Sequence, residues 1–170
     1  LAIIGATGAV GLEIIKLIEK KKIKFKNLKL FASKKSVGKE YNINNIKYQI
    51  EELNRNSFNN IDYAIFSIGS NLSKIYIPIA IKNNCKVIDN SSAYRMDKNV
   101  PLIIPEINFK EIKKKHNIIA NPNCSTILLN MVIYPIHKIN PINKIIVSTY
   151  QAASGAGLKA MNELKNQAFS

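Results

Sequence analysis

Cysteine is scarce in this sequence. Cys85 and Cys124 are the only two, too few for a disulfide framework and without the paired spacing of a zinc site, so the chain reads as a metal-free protein of a reducing compartment. Long apolar runs are missing too. Residues 75–81 are interrupted by Pro78, and residues 118–134 by Asn121, Pro122, Asn123 and Asn130, so no stretch reads as a bilayer span. Leu1 opens directly into a strand-like run that ends in glycines, which is unlike a signal peptide. A cytoplasmic protein with no membrane partner is expected. Arginine is nearly absent, because of 25 Lys+Arg only Arg55 and Arg95 are arginine. A net charge of +14 invites a nucleic-acid ligand, since basic faces bind phosphate backbones. Base readout and bidentate phosphate contacts favour arginine, however. The lysines are scattered, with runs only at 20–22 and 113–115, where amphipathic helices are expected to end and Lys complements the helix dipole. With Ile and Asn abundant and Val rare, the charge reads as compositional drift, and no nucleic-acid partner is expected.

What is present is a globular composition: 170 residues, 46% hydrophobic and 21% charged. A chain of this length buries roughly 70% of its unfolded surface, enough for a core without staples. Short apolar strands alternate with helical patterns, as in βαβ units around a parallel sheet. Strands are expected at 1–4, 28–32, 46–50, 61–67, 86–89, 100–104, 118–120 and 142–151. Helices are expected at 9–22, 70–84 with a bend at Pro78, 109–115, 124–137 and 157–169. In the first helix Val10, Ile14, Leu17 and Ile18 share one face. The fold class is α/β, a Rossmann-type, mostly parallel sheet with helices on both faces. Near Asn123 the βαβ rhythm gives way to a long helix feeding a long strand, which sets a domain boundary: 1–123, then 124–170. Both ends look cut, since the first strand lacks an initiator Met and the last helix lacks a cap, so the chain reads as a fragment.

Gly5-Ala6-Thr7-Gly8-Ala9-Val10-Gly11 joins the first strand to the first helix. In that setting Gly5 and Gly8 permit a tight turn and close approach to a pyrophosphate, Gly11 lets helix pack on strand, and the helix N-terminus supplies amides and a positive dipole end. Gly5, Thr7, Gly8, Ala9, Val10 and Gly11 are the expected cofactor contacts. At the end of the second strand, where a carboxylate would hold the ribose 2′-hydroxyl of NAD, the sequence is Phe31-Ala32-Ser33-Lys34-Lys35-Ser36. Hydroxyls and ammonium groups suit a 2′-phosphate, so the cofactor is expected to be NADP, with Ser33, Lys34 and Ser36 in contact.

Cys124 follows Asn121-Pro122-Asn123 and opens an apolar helix. In a helix's first turn the dipole and the unpaired amides favour negative charge, on a thiolate or on an oxyanion formed beside it. Cys85, at the start of a strand, is expected to be a buried packing residue.

Five segments in order carry a family resemblance: GATGAVG, FASKKSVGK, DNSSAYRMDKNVPLIIPEIN, IIANPNCSTI and VSTYQAASGAGLKAM. Along its whole length the chain resembles the aspartate-semialdehyde dehydrogenases. The resemblance implies reversible, NADPH-dependent reductive dephosphorylation of L-aspartyl 4-phosphate to L-aspartate 4-semialdehyde, a step of lysine, threonine and methionine biosynthesis. It implies that Cys124 is the nucleophile and forms a thioester, that Gln151 orients substrate beside it, and that Arg95 and Asn123 hold the phosphate. It further places Gly69, Ser70, Ser154 and Gly155 around the nicotinamide and cofactor phosphates, makes residues 124–170 the truncated start of an α+β catalytic and dimerisation domain, and implies a homodimer. The family's acid–base histidine and its carboxylate-gripping arginine match nothing here and are expected beyond residue 170. His116 and His137 read as structural or solvated, and the 170 residues alone are expected to bind cofactor at best. Two other readings remain open from sequence: an N-acetyl-glutamyl-phosphate reductase, and a nucleotide-binding module without chemistry.

Overall fold

The structure, a computed structural model, describes residues 1–169. Seven strands form: β1 (Ala2–Ile4), β2 (Lys29–Ala32), β3 (Glu40–Ile43), β4 (Ile46–Glu52), β5 (Tyr63–Phe66), β6 (Lys86–Asp89) and β7 (Ile118–Ala120). They make one sheet of order β3-β4-β2-β1-β5-β6-β7, parallel throughout except for β3, which pairs antiparallel with β4. Side chains alternate between the two faces. Ile3, Leu30, Ala32 and Ile50 pack with Ile15 and Ile18 of α1 (Ala9–Lys20) on one face. Ile4, Phe31, Ala64, Phe66 and Val87 pack with Ile77 and Ala80 of α2 (Ser70–Lys82) on the other. This is the two-sided cover that a parallel sheet requires.

The buried stripe of α1 is Gly11, Ile15 and Ile18, whereas Val10 and Leu17 are 46% and 49% exposed. The helix is therefore turned by about one residue from the face read in the sequence, because Gly11 must be the point of closest approach to the loop before it. Burying Ile15 and Ile18 contributes roughly 1.5–3 kcal/mol each. α2 runs unbroken through Pro78, which sits on its exposed side.

Strand β3 is absent from the sequence reading. Its hairpin turn is Asn44-Asn45, both with positive φ (52° and 64°), joining Ile43 to its partner Ile46. Asn tolerates the left-handed region that a two-residue hairpin needs, so the Asn-Asn pair was the available signal. The strand expected at 100–104 is reduced to a single bridge between Leu102 and Ala120. Pro101 has no N–H to extend a ladder, and Pro105 opens α3 (Pro105–Asn108) at the first helical position. In place of a helix at 109–115, a 3₁₀ turn covers Phe109–Glu111. Residues 142–151 pair with no strand among the described residues, and without a ladder partner an extended segment is not a strand.

The chain divides into two compact units at Asn123/Cys124. The second holds α4 (Cys124–Ile139), a 3₁₀ turn at Ala153–Ala156 and α5 (Leu158–Ala168). Among the described residues no helix is long and apolar enough to cross a membrane.

Candidate functional site

In the first unit the strand order reverses at β1, which has β2 on one side and β5 on the other. Ligands of such sheets bind in the crevice outside the carboxyl ends of the strands at this point. A cleft of about 450 Å³ lies there, lined by Gly5, Thr7 and Gly8 after β1, Ala32, Ser33 and Lys34 after β2, Glu52 and Leu53 at the end of β4, and Ser67 and Ile68 after β5. Leu72 and Tyr76 of α2 close it. Gly5 (φ +87°) turns the chain so that its amide and that of Ala6 both donate to the Phe31 carbonyl, at 2.8 and 3.0 Å. Gly8 precedes α1, whose first turn carries no side-chain cap, and an uncapped first turn offers its amides to an anion. Thr7 Oγ1 lies 3.4 Å from Ser36 Oγ and ties the glycine loop to the 3₁₀ turn Lys34–Ser36.

Gly5, Thr7, Gly8, Ser33 and Lys34 thus meet in one cleft, with Ser36 beside them. Gly11 lies buried beneath it and Val10 faces outward. Gly69 and Ser70 start α2, and it is their neighbours Ser67 and Ile68 that line the cleft. The sequence reading missed Glu52, Leu53, Leu72 and Tyr76; their signal was position, at the end of the β4 strand and on the first turns of α2. The cleft fits a dinucleotide: bare glycine backbone and an open helix end for the pyrophosphate, an apolar wall of Leu53, Ile68, Leu72 and Tyr76 for a flat heterocycle, and Lys34 for a further phosphate.

On the same sheet end, the loops after β6 and β7 are fastened together. Buried Asp89 accepts from the Ser91 amide (2.9 Å) and hydroxyl (2.8 Å), with Ser73 Oγ at 3.4 Å. Burial raises the pKa of the nearby Tyr94 phenol, and Asp89 and Asp97 add to the shift. Arg95 Nε donates to the Asn121 carbonyl (2.9 Å) and Nη2 to the Asn90 carbonyl (3.0 Å).

In the second unit Cys124 is the first residue of α4 and is exposed. Gln151 Nε2 lies 3.5 Å from its sulfur and also donates to Ser125 Oγ. Ser154 and Gly155 lie in the adjoining 3₁₀ turn, where a Cβ on Gly155 would stand 3.0 Å from Gln151 Oε1. His116 and His137 each accept a backbone amide at Nδ1, from Lys113 (3.1 Å) and Ile142 (2.9 Å) respectively.

The other cysteine is a contrast. Cys85 is 1% exposed, and burial pushes its thiol up to about 11, against an ordinary 9.0, with Asp62 adding to the shift. The unfolded chain therefore ionises first, and the stability that this burial contributes is full below the ordinary value and erodes as pH rises past it. At pH 8, iodoacetamide should label Cys124 and leave Cys85 unmodified until the protein is denatured, as peptide mass mapping can read. Equal labelling of both thiols would contradict the assignment of Cys124 as the reactive one.

Two family profiles match the chain. One, described as the NAD binding domain of semialdehyde dehydrogenase, covers residues 1–115, and the other, its dimerisation domain, covers residues 133–170. The aspartate-semialdehyde dehydrogenase of Aquifex aeolicus is 48% identical over 169 residues, which is 98% of this chain and 50% of that protein. That of Bacillus subtilis is 43% identical over 166 residues, 98% of this chain and 48% of that protein. Among solved structures, aspartate semialdehyde dehydrogenase II from Vibrio cholerae in complex with ASA superposes with a TM-score of 0.92 at 39% identity, covering 98% of this chain and 50% of that one. The chain spans about half the length of the curated relatives it matches.

Proposed function

The chain belongs to the semialdehyde dehydrogenase family, and on that footing we propose that it carries the NADP-binding domain (1–123) and the start of the catalytic and dimerisation domain (124–170) of an aspartate-semialdehyde dehydrogenase. The reaction is the reversible reductive dephosphorylation of L-aspartyl 4-phosphate to L-aspartate 4-semialdehyde, and the protein works as a homodimer. The observation that carries this reading is Cys124 at the start of α4 with the Gln151 amide 3.5 Å from its sulfur. A thiolate both attacks and leaves well, so one side chain can serve both halves of an acyl transfer.

Cys124 attacks the acyl carbon, the carbon–oxygen bond to phosphate breaks, and the acyl group is left as a thioester on Cys124. The first-turn amides of α4 would stabilise the negative charge that develops on the acyl oxygen. Gln151, anchored through Ser125, holds the substrate beside the sulfur, and Arg95 with Asn123 receives the departing phosphate. NADPH held in the cleft by the glycine loop and Lys34 would supply a hydride to the acyl carbon, and Cys124, as a good leaving group, would then depart as the thiolate when the aldehyde is released. Reduction of NADP⁺ by the full-length protein, dependent on both L-aspartate 4-semialdehyde and inorganic phosphate, is the expected result. Turnover of N-acetyl-glutamate semialdehyde in its place would overturn the substrate assignment.

NADP, rather than NAD, rests on Ser33, Lys34 and Ser36 at the end of β2. Gly5, Thr7, Gly8 and the first turn at Ala9, Val10 and Gly11 would hold the pyrophosphate, and the resemblance assigns Gly69, Ser70, Ser154 and Gly155 to the rest of the cofactor. Lys34→Ala should weaken NADPH binding about tenfold, the equivalent of one charge-assisted hydrogen bond, and leave NADH binding unchanged. Fluorescence titration with each cofactor checks this; equal affinities of the unsubstituted protein for the two would sink the choice of NADP.

A further inference from the structure

Arg95 is one of two arginines in the chain, half-buried, and none of the ion pairs among the described residues involves it. Its guanidinium is instead held by two main-chain carbonyls, of Asn121 through Nε and of Asn90 through Nη2. The two residues that offer those carbonyls are bonded to each other through their side chains, Asn121 Nδ2 donating to Asn90 Oδ1 at 2.5 Å. Both are also fixed to the sheet: the Asn90 amide donates to the Phe66 carbonyl (3.0 Å) and the Asn121 amide to the Asp89 carbonyl (2.8 Å). The result is a closed triangle of Arg95, Asn90 and Asn121 at the ends of β6 and β7. A guanidinium has five donors in a rigid plane. Two of them are used here on neutral acceptors, so the charge stays uncompensated and the remaining edge keeps a fixed direction.

We propose that Asn90 and Asn121 are positioning residues. Their side-chain amide bond holds the two loops at the spacing at which both carbonyls clamp Arg95, and so aims the free edge of the guanidinium at a phosphoryl oxygen. This rests on the reading of Arg95 as a phosphate ligand. The roles of the two side chains are unequal. Asn90 acts as acceptor, which aspartate can replace, and Asn121 acts as donor, which aspartate cannot. Asn90→Asp and Asn121→Asp place the same charge in nearly the same place, but only the second breaks the clamp.

The test uses the full-length protein and phenylglyoxal, which modifies arginine, with modification of Arg95 followed by peptide mass. Inorganic phosphate should protect Arg95 in the unsubstituted protein and in Asn90→Asp. In Asn121→Asp the concentration giving half-protection should rise by about tenfold relative to Asn90→Asp, the scale of one lost hydrogen bond to a charged group. NADPH titration of each variant verifies folding, because the cofactor cleft shares no lining residue with the clamp. In turnover, the Michaelis constant for phosphate should rise in Asn121→Asp by the same factor with that for NADP⁺ unmoved. Equal half-protection in the two variants, or no protection by phosphate in the unsubstituted protein, overturns the proposal. Protection as expected without turnover of L-aspartate 4-semialdehyde overturns the proposed reaction and leaves the clamp standing.

Discussion

Serine in place of Cys124 should lower phosphate-dependent NADP⁺ reduction by the full-length protein about 10⁴-fold or more, with the NADPH dissociation constant unchanged. The geometry that gives the effect is local. Cys124 starts α4, and the Gln151 amide reaches both its sulfur and the Ser125 hydroxyl. Serine preserves the shape and the hydrogen bonding of the position, so what is lost is the chemistry: a hydroxyl is mostly protonated at neutral pH and an alkoxide is a poor leaving group from the tetrahedral intermediate. Gln151→Ala removes an orienting contact and leaves the nucleophile, and should cost about 10²-fold, the scale of misplacing reactants by an ångström. Steady-state rates with saturating phosphate, set beside NADPH titrations, separate the two. Activity surviving in Cys124→Ser at more than a hundredth of the original would remove the covalent route.

The candidate residues could be named from sequence because they are local or tied to a motif. The strand, Asn-Pro-Asn and helix around Cys124 marked its position, and the resemblance drew in Gln151, which the structure places within reach of the sulfur. Only the resemblance marks Arg95 as a candidate phosphate ligand. What its guanidinium touches could not be read, since Asn90 and Asn121 are 31 residues apart and meet only because β6 and β7 are neighbours in the sheet. The apolar wall of the cleft was hidden for the same reason: Leu53 and Tyr76 come from elements that the strand order brings together.

The fold followed the same division. Long periodic segments such as α1, α2 and α4 read correctly as helices, because 3.6-residue spacing survives any tertiary context. The face of α1 read correctly only in part: Ile18 is buried and Ile14 packs against the core, but Val10 and Leu17 are exposed, and Gly11 and Ile15 complete the buried stripe. A side-chain scale gives glycine no weight, yet Gly11 is one of the three buried residues of the helix. Its backbone, not its hydrophobicity, decides which way the helix faces.

That dependence makes Gly5→Ala the substitution with the largest expected cost in stability, about 3 kcal/mol or more, and a melting temperature lower by about 6–12 °C. Gly5 sits at φ +87°, and an added Cβ would overlap the Ser67 carbonyl oxygen and stand 2.8 Å from Ile68 Cγ2. Left-handed backbone alone costs a non-glycine residue roughly 1–2 kcal/mol. The remainder comes from backbone that cannot move cheaply, because Gly5 and Ala6 both donate to Phe31 and Ser67 donates to Ile4, so β1, β2 and β5 would shift together. Gly11→Ala meets the same loop from the helix side, its Cβ overlapping the Gly5 carbonyl oxygen. Both substitutions strain the same loop, so their costs should not be additive in the double variant. Gly69 provides the control: its φ is −62° and nothing lies within 4 Å of an added Cβ, so Gly69→Ala should leave stability within about 0.5 kcal/mol. Thermal unfolding of the full-length protein by circular dichroism reads all four, and a Gly5→Ala protein that melts with the unsubstituted one would mean that the loop relaxes without disturbing the sheet.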